Sequence, residues 1–192
     1  MSTLQAELFG AGAALPEGFI YQPEFISVEE ERALLEAIAA LPLEEAKYRQ
    51  YTARRRVAYF GFAYDFSANR LGEAAPVPEF LHPLREKIAR WMRIAPEAFA
   101  HALINEYRPG TPLGWHRDAP DFGRVAGASL GGRARMRLRR YPPGKDKPVV
   151  LELAPRSAYQ IDGPARWQWQ HSIPPTRELR YSVTFRTLLR KD

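Results

Sequence analysis

From Ala100 onward the sequence is a succession of short alternating or apolar runs separated by glycine and proline. This alternation is the pattern of half-buried strands, and the glycine and proline clusters indicate turns. The predicted strands are Ala102–Tyr107, Val125–Leu130, Ala134–Arg140, Pro148–Leu153, Ser157–Ile161, Arg166–Ile173 and Arg180–Leu188. Because no helical spacing lies between them, we expect an antiparallel sandwich or jelly roll.

Two amphipathic helices are predicted before these strands. Ser27 and Glu30 have the spacing of a capping box, and apolar residues then recur at helical spacing until Pro42. A second helical pattern begins near Pro78 and runs to Met92. The predicted class is therefore mainly β with flanking α-helices (α+β), in which the helices pack on one sheet.

One folded domain is expected over residues 17–192, because a chain of 192 residues with 45% hydrophobic residues can bury a single sufficient core. Residues 1–16 are weakly patterned and are expected to form a mobile arm. Residues 44–76, between the two helices, are both aromatic and basic.

Composition limits the chemistry and the partners. The chain has no cysteine, which excludes disulfides, thiolate zinc sites, iron–sulfur clusters and a cysteine nucleophile. Its formal net charge of +6 favours a polyanionic partner such as nucleic acid. No apolar run approaches the ~20 residues of a membrane span, and the first residues lack a signal-peptide pattern. We expect a soluble, cytoplasmic monomer without a membrane partner.

Three residues form a candidate metal site. His116 and Asp118 are two apart, so on an extended segment they share a face, and His171 follows at the end of Trp167-Gln-Trp-Gln-His. Two imidazoles and one carboxylate are typical of non-haem Fe(II) oxygenases. His171 taken alone is more typical of a buried core histidine than of a metal ligand, and His101 is expected to be structural.

Two arginines on one strand face suggest a dianionic ligand. Arg180 and Arg186 alternate with apolar residues, together with Ser182. If that face is buried, two guanidinium groups need anionic partners, which a small dicarboxylate such as 2-oxoglutarate would supply. If the face is solvated, these are ordinary surface arginines. Asn105 and Tyr107 add an amide and a phenol to one face of another strand.

These motifs occur in the order and near the spacing of a known family. Asn105-x-Tyr107, His116-x-Asp118, His171 and Arg180-x5-Arg186 resemble the AlkB family of Fe(II)- and 2-oxoglutarate-dependent dioxygenases. The resemblance implies a double-stranded β-helix, or jelly roll, with N-terminal helices and a nucleotide-recognition lid at 44–76.

The resemblance also implies roles for these residues. His116, Asp118 and His171 would bind Fe(II). Arg186 and Asn105 would hold the C1 end of 2-oxoglutarate, and the C5 carboxylate would be held by Arg180, Tyr107 and Ser182. With O2, such a site would hydroxylate an N-alkyl carbon and release aldehyde, succinate and CO2.

The lid and one later strand are expected to contact the substrate. Aromatic rings can stack on an extruded base, and arginines can contact phosphates. The candidate residues are Tyr51, Arg54, Arg55, Arg56, Tyr59, Phe60, Asp121, Arg135 and Arg137. The lid aromatics could equally belong to the core, and the arginines of Arg133–Arg139 could pair with Glu152 or Asp146 across a hairpin.

The resulting functional hypothesis is oxidative dealkylation of N-alkylated bases in single-stranded DNA or RNA. Asp118 is followed by Ala119 and Pro120, whereas DNA-repair members of the family commonly have an acid there that contacts the base. A modified tRNA base or a protein side chain is therefore an alternative substrate. A non-catalytic nucleic-acid-binding jelly roll is the alternative from another class.

Overall fold

A computed structural model describes residues 14–48, 51–65 and 70–189, and all structural statements concern this part of the chain. Most of the expected N-terminal arm, residues 1–13, lies outside it. None of the described helices is long and apolar enough to cross a membrane.

The described residues form two antiparallel sheets and three α-helices. The strands are β1 (Phe19–Gln22), β2 (Glu44–Tyr48), β3 (Tyr51–Asp65), β4 (Arg70–Glu73), β5 (Phe99–Tyr107), β6 (Leu113–His116), β7 (Phe122–Gly131), β8 (Ala134–Arg140), β9 (Val149–Leu153), β10 (Ser157–Ile161), β11 (Trp169–Ile173) and β12 (Arg180–Leu188). The larger sheet has the strand order β1-β10-β7-β12-β5-β3-β2, with β4 also paired to β3, and the smaller has the order β6-β11-β8-β9. The helices are α1 (Val28–Ala39), α2 (His82–Met92) and α3 (Gly163–Trp167).

This architecture confirms the jelly-roll prediction and corrects two of its segments. The lid contains β2, β3 and β4, whereas the sequence predicted no strands there. The predicted strand beginning at Arg166 starts with helix α3, because Asp162 caps its first turn by accepting from the Gly163 amide and Pro164 favours a helical start.

Helices α1 and α2 cover one face of the larger sheet. The predicted capping box is present at the start of α1: Ser27 Oγ accepts from the Glu30 amide at 3.1 Å, and Glu30 Oε2 accepts from the Ser27 amide at 2.6 Å. Ile38 and Ile88 of the two helices are fully buried in one cluster with Val183 and Phe185 of β12. Burial of this apolar surface fixes which face of β12 points toward the helices.

The opposite face of β12 points into the space between the two sheets. It carries Arg180, Ser182, Thr184 and Arg186, all of them buried. One part of this space is filled by an apolar cluster that includes Met136, Leu138, Leu151 and Ile161. The remainder is a cavity, so alternation along a single strand brings two arginines into the interior of the molecule.

Candidate active site

A cavity of about 780 Å³ lies between the sheets and is lined by β3, β5, β6, β11 and β12. Its lining residues include the predicted metal ligands His116, Asp118 and His171. They also include the predicted cosubstrate residues Tyr107, Ser182 and Arg180. Asn105 and Arg186 also line it. The fold therefore brings the predicted metal ligands and the predicted cosubstrate residues into one cavity.

His116 and His171 are cross-strand neighbours on β6 and β11. Their ring centroids are 4.2 Å apart. His116 Nδ1 lies 2.9 Å from the Gly114 carbonyl, and donation to that oxygen leaves Nε2 as the lone-pair nitrogen. Burial lowers the pKa of His116, and burial together with the neighbouring His116 lowers the pKa of His171 to about 3. Both rings are therefore neutral at pH 7, as metal binding requires.

Asp118 carries the negative charge of the site. Its Oδ1 accepts from Arg186 Nε at 2.7 Å and Nη2 at 2.6 Å. Burial would raise the pKa of this carboxyl, but Arg186, followed by His171 and His116, holds the pKa well below its usual range. The other oxygen, Oδ2, lies 3.9 Å from His171 Nε2. Asp118 is thus ionised at every pH at which the protein would work.

This donor set fits a divalent metal of the iron type, although no three His, Asp or Glu side chains of the described residues already have the arrangement of a bound ion. The 3.9 Å between Asp118 Oδ2 and His171 Nε2 is below twice a metal–ligand bond of about 2.1 Å. Both atoms can therefore reach one ion after a small adjustment of Asp118, whose other oxygen is held by Arg186.

Arg166 is a buried residue of the site that the sequence analysis did not identify. It is 3% exposed, and its Nε donates to the Gly123 carbonyl at 2.9 Å. Its Nη2 donates to the carbonyls of Asp118 at 3.3 Å, Ala119 at 2.7 Å and Phe122 at 2.7 Å. The Arg166 guanidinium group thus ties helix α3, which leads into β11, to the segment 118–123 that follows His116.

The other arginine of β12 lies among phenol and hydroxyl groups. Arg180 is 1% exposed, its Nε donates to Ser129 Oγ at 2.9 Å, and its guanidinium carbon is 5.0 Å from the Tyr107 ring centroid. Tyr159 of β10 lines the same cavity, and burial raises the pKa of its phenol to about 12. The sequence assigned no role to Ser129 or Tyr159, because a single serine or tyrosine in a strand has no pattern that points to a ligand.

Three buried polar atoms of the cavity residues have no hydrogen-bond partner in the described part of the chain. They are Arg186 Nη1, Asn105 Oδ1 and, on the lid strand, Arg55 Nε. The Asn105 amide makes one long hydrogen bond, from Nδ2 to Ser182 Oγ at 3.4 Å. Buried polar groups without partners are rare and mark sites where a ligand completes the hydrogen bonding. Arg186 and Asn105 therefore fit an anionic ligand in the cavity.

The lid residues divide between the two faces of β3. Arg54, Arg55 and Tyr59 line the cavity. Arg56 lies on the opposite face, where its Nε and Nη2 donate to Glu106 at 2.8 Å each, and Phe60 packs against the core under the helices. The positions of Arg56 and Phe60 correct the expectation that they face a substrate. The side chain of Tyr51 lies outside the described residues.

His101 of β5 also lines the cavity, although the sequence suggested only a structural role. Its Nδ1 donates to the Phe62 carbonyl, and its ring centroid lies 4.8 Å from that of Phe122. Burial and the nearby Arg186 lower its pKa to about 3. His101 is therefore a neutral wall residue held by the lid strand.

The remaining substrate candidates lie outside the cavity. Asp121 is not among the described lining residues, and its contact with a substrate stays a prediction. Arg135 is exposed on β8 opposite Glu152, which pairs with Arg133 at 2.6 Å. Arg137 Nε donates to Ser172 Oγ at 3.1 Å. Arg135 and Arg137 therefore belong to the outer surface of the smaller sheet.

Comparison with known proteins shows the family to which the chain belongs. The model of the 2OG-Fe(II) oxygenase superfamily matches residues 18–186. An uncharacterised protein of Acanthamoeba polyphaga mimivirus, L905, is 27% identical over 91% of this chain and 86% of its own length. Members of this superfamily use Fe(II), 2-oxoglutarate and O2.

Several relatives carry AlkB-family names. The Macaca fascicularis tRNA (carboxymethyluridine(34)-5-O)-methyltransferase ALKBH8 is 29% identical over 83% of this chain, which spans only 24% of that protein. The Danio rerio probable RNA/DNA demethylase ALKBH6 is 33% identical over 55% of this chain and 42% of its own length. The solved structure of OsALKBH1 matches 91% of this chain and 100% of its own with a TM-score of 0.70 at 15% identity, which shows a shared fold. The chain belongs to the 2OG-Fe(II) oxygenase superfamily and, within it, to the AlkB family of dioxygenases.

Proposed function

We propose that this dioxygenase oxidatively removes alkyl groups from N-alkylated bases in single-stranded DNA or RNA. The observation that carries the proposal is the presence, in one cavity, of two neutral histidines, an ionised aspartate and two buried arginines. A protein that only bound nucleic acid would gain nothing from burying two guanidinium groups in its interior.

His116, Asp118 and His171 would hold the iron. Two neutral imidazole nitrogens and one carboxylate oxygen leave open positions on a six-coordinate ion, which oxygen and cosubstrate need. When bound, iron and 2-oxoglutarate with O2 supply the oxidant that hydroxylates a C–H bond, with release of succinate and CO2. On an N-alkyl carbon the hydroxylated product loses aldehyde and leaves the bare base.

Arg186 and Asn105 would receive the carboxylate of 2-oxoglutarate that lies nearer the metal ligands. The unpartnered Nη1 of Arg186 can donate to that carboxylate while Nε and Nη2 remain on Asp118. Arg180, Tyr107 and Ser182 would hold the other carboxylate. Burial of both arginines excludes water, which strengthens their charge-assisted hydrogen bonds.

The substrate would approach from the side of the lid. Arg54 and Arg55 line the cavity beside Tyr59, so a phosphate and an extruded base can be contacted together. The exposed Arg135 and the half-buried Arg137 would extend the cationic surface outside the cavity. Neutralising both, as Arg135→Gln with Arg137→Gln, should flatten the salt dependence of oligonucleotide binding.

The deciding experiment is mass spectrometry of alkylated oligonucleotides incubated with the protein, Fe(II) and 2-oxoglutarate. Loss of the alkyl mass with matching succinate formation is the expected result, and Asp118→Ala is the control. Succinate without any change in an oligonucleotide would contradict the proposed substrate and leave the cosubstrate assignment standing.

A modified base in tRNA is the second candidate substrate. The similarity to ALKBH8 over most of this chain favours it, although the methyltransferase activity in the name of that relative belongs to a protein about four times as long as the matching segment. A tRNA in the same mass-spectrometric assay tests this candidate, and a lysine-methylated peptide tests the alternative of a protein side chain.

A further inference from the structure

The charged side chains that line the cavity are strongly unbalanced. Among the described lining residues the acids are represented by Asp118 alone. The cationic lining residues are Arg54, Arg55, Arg117, Arg180 and Arg186. The 2-oxoglutarate dianion would offer one carboxylate to each of the two arginines of β12, so the arginines on the lid side would keep their charge unbalanced.

Arg55 is the lid-side arginine that faces inward. Its Nε is buried and has no hydrogen-bond partner among the described residues. Its charge acts on His116, whose pKa it helps to lower. Arg117, in contrast, is exposed and held outward: its Nη1 donates to the Trp167 carbonyl at 3.2 Å, and its guanidinium carbon lies 4.0 Å from the Tyr141 ring centroid.

Two described acids near Arg55, Glu106 and Asp118, are already bound by other arginines. Glu106 is bound by the neighbouring Arg56 and by Arg108, on the opposite face of the sheet. Asp118 is bound by Arg186, and Asp121 does not line the cavity. A substrate that enters from the lid side therefore meets the Arg55 cation, and Asp118, which is the one acid among the described lining residues, is already paired with Arg186.

Resting on the proposed function, we infer that the cavity selects uncharged or anionic modified bases over cationic ones and that Arg55 determines this selectivity. A methyl group on a ring nitrogen, as in N1-methyladenine or N3-methylcytosine, makes the base a cation near neutral pH. The positive charges of such a base and of Arg55 would repel each other strongly in a partly buried site, because water screens them poorly there. N6-methyladenine has the same heavy atoms as N1-methyladenine but lacks the extra proton and is uncharged, so the two bases form a matched pair of substrates.

The test uses two single-stranded oligonucleotides that differ only in this central base. Binding is measured by fluorescence anisotropy at about pH 7 with full-length protein, Mn(II) and 2-oxoglutarate in the absence of O2. Demethylation is measured separately with Fe(II) and O2 by mass spectrometry. The variants are Arg55→Gln, which removes the charge, and Arg55→Lys, which keeps it and serves as the matched control.

The wild-type protein should bind the N6-methyladenine strand more tightly than the N1-methyladenine strand. Arg55→Gln should shift the ratio of the two Kd values toward the cationic base by about tenfold, and Arg55→Lys should retain the wild-type ratio. Contacts of Arg55 with phosphate cancel in this ratio because both strands share one backbone.

Two results would overturn the inference: tighter wild-type binding of the N1-methyladenine strand, or a Kd ratio unchanged by Arg55→Gln. Failure of the proposed function has a different signature. If neither base is demethylated while the Kd ratio follows the charge of residue 55, base dealkylation is wrong and the charge selectivity of the cavity stands.

Discussion

Replacing Arg166 should weaken metal binding as well as the fold. In Arg166→Met the four hydrogen bonds to the carbonyls of the loop that follows His116 are lost. Hydrogen bonds from a charged donor contribute about 1.5–3 kcal/mol each, but the loop carbonyls can recover water once the guanidinium is gone. We therefore expect the free energy of unfolding to fall by about 3 kcal/mol, well below the sum of four bonds.

The effect on metal affinity follows from the position of the clamp. Arg166 joins the loop that carries Asp118 to the segment five residues before His171, so its loss lets two ligands move relative to each other. Removing a group that orients metal ligands typically costs 10- to 100-fold in affinity. We expect a loss of that size, about 1.4–2.8 kcal/mol, in Mn(II) binding.

Ile38→Ala is the matched control for this prediction. Ile38 is fully buried in the helix-covered core, away from the loop, and its truncation should cost about 2–5 kcal/mol. Urea unfolding of the metal-free proteins gives the stability change, and calorimetric titration of the folded proteins with Mn(II) gives the affinity. If Arg166→Met and Ile38→Ala lose equal stability and both keep the wild-type Mn(II) affinity, Arg166 does not position the ligands.

Three further predictions concern single residues of the cavity. Asp118→Ala should abolish both Mn(II) binding and succinate formation, because it removes the only carboxylate of the proposed ligand set; turnover at the wild-type rate would exclude Asp118 from the site. Arg186→Lys should raise the 2-oxoglutarate concentration needed for half-maximal succinate formation at least tenfold, or about 1.4 kcal/mol. The reason is that a lysine lacks the planar guanidinium group that can donate to Asp118 and to a cosubstrate carboxylate at the same time. The pKa of His101 is about 3 in the folded protein and about 6.5 unfolded, so the unfolded state binds the extra proton between these values. Stability should fall by up to about 1.4 kcal/mol per unit as the pH drops from 6.5 toward 3, and the slope in urea-unfolding experiments should be correspondingly smaller in His101→Gln.

Much of the fold follows from local patterns in the sequence. The bounds of β8, β10 and β12 agree with the predicted runs, because the alternation of a half-buried strand is visible in neighbouring residues of the sequence. The start of α1 follows from its capping box. The shared face of Arg180 and Arg186 is also a local property, and only its burial required the packing of the helices against the other face.

The unpredicted features depend on partners distant in the sequence. Which arginine of Arg54–Arg56 faces the cavity is decided by the pairing of β3 with β5, which places Arg56 opposite Glu106. Tyr159 reaches the cavity because β10 pairs with β7. Arg166 resembled a strand residue, yet a short capped helix turns it toward the carbonyls of another loop. Single residues without a spacing pattern carry no signal of this kind.

The pairing of Asp118 with Arg186 links the two halves of the proposed site. Arg186 donates to Oδ1 of the carboxylate that a metal ion would need, and its Nη1 has no hydrogen-bond partner among the described residues. A metal that draws electron density from Asp118 weakens this carboxylate as an acceptor and makes Arg186 a better partner for a second anion. Binding of a dicarboxylate near Arg186 must, by the same coupling, favour the metal. The two ligands of the family would thus support each other through a single guanidinium group, which donates to Asp118 Oδ1 and leaves Oδ2 for the metal.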